Sequence, residues 1–356
     1  MNPLSPPADA LPPALGVGII GNGMATRVFH APYVGATPGL ALRAVVARSG
    51  GASPVPGVPL LTDTAALLAD PAIALVVIAT PSATHAPLAR ACLLAGKHVV
   101  VEKPFALSLA EARDLVALAA ARGLQLAAFH NRRRDSDFLA VRAAIEAGLI
   151  GPVVHFESHY DRFRPQVRQR WREAGGPGSG VWCDLGPHLV DQAVVLFGPP
   201  QAVSAEICAL RPGSPADDWA HVLLHYADKK VVLHASLCAA GGAARFVAHG
   251  LAGSLVKSSA DRQEAQSVAG LAPTHPDWGH DPDPLRHIDA AGREHLLPAP
   301  RGDQPGFYAA MAAACRGQGP APTAPGEILL VQAILNAAQA SAQQGARLPL
   351  TDTSIP

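Results

Sequence analysis

Asp184 and His188 stand four residues apart at the start of a helix predicted from about Leu185, a spacing that puts both side chains on one face. A carboxylate beside an imidazole can orient the ring and hold its tautomer, and an imidazole is suited to proton transfer near neutral pH. Asp191, three residues past His188, falls on the same side. Lys103 follows the buried run Val99–Val101 and precedes Pro104. A lysine there can hydrogen-bond a substrate hydroxyl and stabilise negative charge developing on its oxygen. Lys103, Asp184 and His188 form the candidate catalytic set. Asp184, His188 and Asp191 show no third strong ligand, and no metal is expected.

A second group of residues suits a nucleotide. The apolar residues Val17, Ile19 and Ile20 read as a buried strand, which breaks into Gly21-Asn22-Gly23-Met24-Ala25-Thr26 and then a helical stretch to about Thr37. Strand, glycine turn and helix open a dinucleotide-binding βαβ unit. Gly21 allows the tight turn. Gly23 lets the backbone approach a pyrophosphate at the helix N-terminus, where free N–H groups and the helix dipole favour an anion. Thr26 replaces the third glycine of the fingerprint, so the motif alone is a weak signal. A second strand, 41–47, ends in Arg48-Ser49-Gly50-Gly51, and no acid occurs between Ala41 and Leu61. An acid at this strand end binds the ribose hydroxyls of NAD, whereas an arginine accommodates the 2′-phosphate of NADP. Arg48 and Ser49 therefore point to NADP in preference to NAD.

The elements that must position these groups alternate. Asp63 caps a short helix over 64–69. A continuous apolar run, Ile73 to Ala79, reads as a buried parallel strand ending at Thr80-Pro81-Ser82. A helix to Ala95, the strand 99–101, a helix capped by Ser108 with Glu111 and a strand over 124–129 follow. Alternating strands and helices mean a doubly wound parallel sheet, with ligands at the carboxyl ends of its strands. Arg48, Thr80, Lys103 and His130 all fall at such ends. After Asn131 the pattern changes: a helix over 137–147, a strand through Val153–Tyr160, a glycine-rich loop over 175–180 and a helix over 185–197. Strands over 202–209, 219–226, 230–238 and 244–249 have connections short enough for an antiparallel sheet. Residues 261–306 read as loop-rich, and helices over 306–316 and 325–344 close the chain.

Composition narrows the function class. The chain has 356 residues, half of them apolar and 16% charged, with zero formal net charge; about two domains are expected. No basic stripe suggests nucleic acid or an anionic membrane as partner. Cys92, Cys183, Cys208, Cys238 and Cys315 have no metal-ligand spacing and read as buried, reduced thiols of a cytoplasmic protein. Residues 1–14, rich in proline, read as a disordered tail and not as a signal peptide. No apolar run is long enough to span a bilayer.

The stretches GIIGNGMATRVFHAP, ATPSATHAPLARACLLAGKHVVVEKPFA and GPGSGVWCDLGPHLVDQ, with AAFHNRRRDSDF and HYDRFRPQVRQRWRE between them, resemble the Gfo/Idh/MocA family of NAD(P)-dependent oxidoreductases. The likeness runs from about Gly16 to Arg347. The EKP and D-x-x-x-H motifs, in this order and at these separations, are specific. FHAP and HYDRFRP look like the branch of scyllo-inositol dehydrogenases and YdgJ-like oxidoreductases. The resemblance implies a Rossmann domain over 15–130, then an α+β domain over 131–350 with a large, open, mostly antiparallel sheet. One face of that sheet commonly makes a homodimer or a dimer of dimers. It places the family's catalytic lysine on Lys103 and its Asp and His on Asp184 and His188, with His188 as general acid/base. Thr80, Pro81, His85 and Glu102 match cofactor-contacting positions, beside the turn Gly21, Asn22, Gly23, Met24 and Ala25. Asn131, Arg132, Tyr160, Arg162 and Arg172 are candidate substrate contacts. The expected activity is hydride transfer between nicotinamide and a secondary alcohol or ketone of a sugar, cyclitol or polyol, a small-molecule substrate. A non-catalytic dinucleotide sensor that binds a protein partner and a reductase of a non-sugar carbonyl compound are the alternatives.

Overall fold

The computed structural model describes residues 13–48 and 50–350. Ser49 and most of the expected N-terminal tail lie outside the described residues. Two sheets organise the rest. The first contains β1 (Leu15–Ile20), β2 (Leu40–Val46), β3 (Leu60–Leu61), β4 (Leu75–Ile78), β5 (His98–Val101) and β6 (Leu126–Ala128). All pairs are parallel, in the order β3-β2-β1-β4-β5-β6. Strand β4, Leu-Val-Val-Ile, is buried at every position, as a parallel strand covered on both faces requires. The covering helices are α1 (24–36), α2 (Thr64–Ala69), α3 (His85–Leu94) and α4 (Leu109–Ala121). Asp63 caps α2 by accepting from the Ala65 N–H, and Ser108 with Glu111 forms a full capping box on α4.

The second sheet has nine strands: β7 (Val153–Asp161), β8 (Ala202–Cys208), β9 (Trp219–His225), β10 (Lys230–Ser236), β11 (Phe246–Gly250), β12 (Gly253–Lys257), β13 (Leu285–Asp289), β14 (Glu294–Leu297) and β15 (Leu348–Pro349). Their order is β14-β13-β12-β11-β7-β10-β9-β8-β15. The pair β7/β10 is parallel, and the other pairs are antiparallel. In β7, Phe156, Ser158 and Tyr160 are buried while His155, Glu157, His159 and Asp161 alternate with them. One face is thus core and the other is polar. Helices α5 (Ser136–Glu146), α6 (Val181–Phe197) and α9 (Pro325–Gln344) supply the core side chains opposite.

Strands β12 to β14 and the helix α7 (Gln263–Val268) were not expected; β13 and β14 and α7 occupy the stretch read as loop. Strand β14 is mostly exposed and β13 half-buried, so neither carries the apolar alternation that marks a strand in sequence. They form the sheet edge. The closing helices return to the first sheet. Phe307, Tyr308 and Met311 of α8 (Gly306–Cys315) bury against β1, β4 and β5 residues. Ile328 and Leu329 of α9 enter the first sheet's other core, while Leu330, Val331, Ile334 and Leu335 enter that of the second. Each such aliphatic side chain contributes roughly 1.5–3 kcal/mol on burial, so α9 ties the two sheets together.

The five cysteines are free. Only Cys92 is buried; Cys183, Cys208 and Cys315 are half-buried and Cys238 is exposed, which corrects the expectation of buried thiols. No helix among the described residues is long and apolar enough to cross a membrane.

Candidate active site

Strand β1 ends against the end of β4, and this contact dictates the first glycine. Gly21 has φ +113°, and a Cβ there would stand 2.2 Å from the Ala79 carbonyl oxygen. Gly23 has open space where its Cβ would be, so its backbone can be approached closely. Thr26 accounts for the missing third glycine. It is fully buried, and its hydroxyl donates to the Gly21 carbonyl at 2.7 Å, closing the turn from inside α1. The N–H groups of the first turn of α1 lack intrahelical acceptors.

Two clefts meet at Gly21, Asn22, Gly23, Thr80 and Pro81. The larger, about 760 Å³, is lined by Arg27, Arg48, Gly50, Gly51, Thr64 and Thr84, among others, and by no carboxylate among the described residues. Arg27 was not singled out from sequence; it sits one turn into α1 and bonds the Ala52 carbonyl at 3.0 Å. The smaller cleft, about 390 Å³, contains Met24, Ala25, Glu102, Lys103, Asp184 and His188. A groove with a glycine turn at its middle, and with Arg27 and Arg48 in the half that lacks carboxylates, fits an anionic dinucleotide.

Strand β5 delivers Glu102 and Lys103. The Glu102 carboxylate bridges His30 Nε2 (3.1 Å) and the Lys103 backbone N–H (3.0 Å), and His30 Nδ1 meets the Tyr308 hydroxyl at 2.6 Å. Burial opposes ionisation of Glu102, but the bond and charge of His30, with Lys103, bring its pKa down to about 2. Glu102 lines the cleft with its carboxylate engaged, so it positions Lys103. The Lys103–Pro104 peptide is cis.

Helix α6 brings the other two groups, and it begins at Val181, a turn earlier than the sequence suggested. Its cap comes from far along the chain. Asp217 accepts from the Val181 N–H with its carbonyl and from the Trp182 N–H with its carboxylate, both at 2.8 Å. Gly180 (φ +95°) is needed because a Cβ would overlap that carboxylate. Lys103 Nζ donates to the Asp184 carbonyl at 2.7 Å and to its carboxylate at 2.8 Å, and Arg172 Nε lies 3.2 Å from the same oxygen. Burial opposes the charge on Asp184, but Lys103 and Arg172 hold it well below the usual carboxylate range. The expected pairing is therefore corrected: Asp184 holds Lys103, and His188 Nδ1 is buried without a hydrogen-bond partner. Burial, then the charges of Lys103 and Arg132, keep the His188 pKa well below its ordinary value, so the ring is neutral near pH 7. Asp191 is committed elsewhere, to a two-pronged bond from Arg133 at 2.6–3.1 Å.

His85 does not reach the cleft. It is buried, with Nδ1 2.8 Å from the Pro104 carbonyl and Nε2 2.9 Å from the Thr80 carbonyl. It braces the two strand ends against each other. Asn131, Arg132, Arg162 and Arg172 line the smaller cleft, as do Arg164, Arg170, Trp171 and Glu264, which sequence reading passed over. Tyr160 lies behind that wall, its ring between Arg245 (3.8 Å) and Arg132 (5.2 Å). The repeated arginines of RFRPQVRQRWRE were the available signal for Arg164 and Arg170.

Residues 15–130 match the oxidoreductase family with NAD-binding Rossmann fold, and residues 138–256 match the GFO/IDH/MocA C-terminal domain. The chain belongs to the Gfo/Idh/MocA oxidoreductase family. The oxidoreductase YdgJ of Escherichia coli (strain K12) is 45% identical over 94% of this chain and 98% of its own. The scyllo-inositol 2-dehydrogenase (NADP(+)) IolW of Bacillus subtilis (strain 168) is 34% identical over 74% of this chain and 75% of its own. The crystal structure of an oxidoreductase from Klebsiella pneumoniae superposes with TM-score 0.88 at 46% identity, covering 95% of this chain and 96% of that one.

Proposed function

We propose that this oxidoreductase is an NADP-preferring dehydrogenase or reductase acting on a secondary alcohol or ketone of a polyol, cyclitol or sugar. The observation that carries the reading is the meeting of Lys103, its anchor Asp184 and the neutral His188 in a cleft that continues past the Gly21–Ala25 turn. The nicotinamide cofactor supplies the hydride chemistry when bound. The turn, Thr80 and Pro81 would hold it, and Arg27 and Arg48 would receive a 2′-phosphate. In the oxidation direction Lys103 Nζ donates a hydrogen bond to the substrate oxygen and stabilises the charge that grows there. The His188 imidazole takes the hydroxyl proton, and it returns that proton in the reduction direction. Asp184 fixes the lysine. The likeness to IolW, an NADP-dependent scyllo-inositol dehydrogenase by name, supports both the cofactor and the cyclitol among candidate substrates. We take the homodimer as the working assembly, to be read by light scattering.

One observation favours a second substrate class. The smaller cleft is lined by Lys103 and five arginines against three carboxylates. Arg164 has a buried Nη1 without a partner, and burial, with Arg162, Arg168 and Arg170 nearby, lowers its pKa. A sugar acid or sugar phosphate would answer that charge. Steady-state rates on matched pairs, an inositol against its phosphate and a hexose against its uronate, separate the two. Equal kcat/KM within each pair supports the neutral class. A preference for the anion that Arg164→Gln abolishes supports the acidic one. No turnover of any member with either cofactor contradicts the dehydrogenase reading.

A further inference from the structure

The polar face of the nine-stranded sheet carries chemistry that the cleft does not use. Strand register places His159 of β7 opposite His234 of β10, and His234 opposite His221 of β9. Asp161 lies two residues beyond His159 on the same face, away from Tyr160 and the cleft. The donor atoms of His159, Asp161 and His234 all lie within 4.8 Å of one another.

Each group is held so that one donor atom faces the others. His159 gives Nε2 to Glu157 at 2.8 Å. Glu157 also meets His155 Nε2 at 2.7 Å. With His159 Nε2 engaged by that carboxylate, Nδ1 is the His159 ring nitrogen left open to a ligand role. That Nδ1 is buried and has no partner. The Asp161 carboxylate accepts from the Ala243 N–H through Oδ2 at 2.9 Å, while its Oδ1 is also buried and unpartnered. The Asp161 side chain is 9% exposed, and Oδ1 stands 3.6 Å from His234 Nε2. His234 turns its Nδ1 toward His221 Nδ1 at 3.4 Å, which leaves Nε2 as the ring nitrogen facing Asp161.

We propose that His159, Asp161 and His234 form a binding site for a divalent transition-metal ion of the zinc type, coordinated by His159 Nδ1, Asp161 Oδ1 and His234 Nε2. Two imidazoles and one carboxylate suit such an ion. Tetrahedral coordination at about 2.0–2.1 Å puts ligand atoms roughly 3.3 Å apart, close to the 3.6 Å already present between Asp161 and His234. A small closure of His159 completes three ligands, and water takes the fourth position. Glu157 supplies the outer carboxylate that metal-bound histidines usually carry. Two strands and the 239–244 loop, through Ala243, are then joined by one ion. The role is structural, because the site lies across the sheet from the cleft.

The test is calorimetric titration of the chelator-stripped full chain with ZnCl₂, followed by Co²⁺ titration read by visible absorption. The expected result is one equivalent bound with micromolar or tighter affinity and the intense bands of four-coordinate Co²⁺. Binding should weaken at least tenfold in each of His159→Gln, Asp161→Asn and His234→Gln. Glu157→Gln, which leaves the ligands intact, should weaken it about tenfold to a hundredfold. His249→Gln, on a neighbouring strand and bonded to Ser254, should leave it unchanged. Circular dichroism melts of the metal-free variants identify any that fail to fold, and the remaining variants then decide. Absence of binding by the wild-type chain, or binding that survives His159→Gln and His234→Gln, overturns the proposal.

Discussion

At the scale of single residues, the proposed chemistry rests on Lys103, Asp184 and His188. Lys103→Met should lower turnover at least about a hundredfold, as should His188→Ala, the low end of general acid–base contributions. Fluorescence titration with NADPH should show cofactor binding retained in both. Near-normal turnover in either variant removes that residue from the mechanism. Asp184→Asn should resemble Lys103→Met more than His188→Ala, because its carboxylate bonds the lysine. The pH profile follows from the depressed pKa of His188. Oxidation needs the neutral ring, so a lowered pKa keeps the base available as pH falls through the ordinary imidazole range. The rate should show no loss from His188 between about pH 6 and 8 and should fall only at more acid pH. That Lys103, Asp184 and His188 share one cleft was legible from residue type and order. The partner of Asp184 was not, since helix spacing puts Asp184 beside His188 and only tertiary packing brings Lys103, 81 residues away in sequence, into bonding distance.

Elements show where local signals suffice. The caps Asp63 and Ser108 with Glu111 depend on residues within one turn, and both form as read. The start of α6 depends on Asp217, far from it in sequence, so no local pattern could mark it. Removing that cap with Asp217→Ala should lower stability by about 1–2 kcal/mol, measured by denaturant unfolding. An unchanged midpoint would show that the cap is dispensable. Gly21→Ala is a harsher change, combining a left-handed φ with the Ala79 carbonyl 2.2 Å away. It should cost more than about 2 kcal/mol or abolish NADPH binding, and a variant normal in both respects contradicts the turn geometry. The edge strands β13 and β14 escaped notice because half-exposed strands lack apolar alternation.

For the whole molecule, the buried ion network between the two sheets matters most. Arg133 follows the end of the parallel sheet and bonds both Asp191 on α6 and Glu327 on α9. Arg133→Met leaves the Asp191 charge, 2% exposed, without its partner and should cost about 3–5 kcal/mol. Adding Asp191→Leu should recover much of that loss; a further drop instead would show that the pair itself holds the helices. The parallel sheet and the cleft at its strand carboxyl ends followed from the alternation of strands and helices, and the antiparallel pairing of the second sheet from its short connections, whereas the full extent of that sheet did not. The way α8 and α9 pack back onto the first sheet did not, because helices at the end of a chain carry no local mark of their destination.

We propose proton-coupled hydride transfer at Lys103 and His188 with NADP. The most direct measurement is NADPH formation followed by absorbance in a panel of inositols, polyols and aldoses, with the Lys103→Met and His188→Ala variants in parallel. Reduction of NADP⁺ in preference to NAD⁺ by at least one panel member, abolished in both variants while NADPH still binds, is the predicted result. Turnover that persists in both variants, or tight NADPH binding with no turnover of any alcohol or ketone, would contradict it.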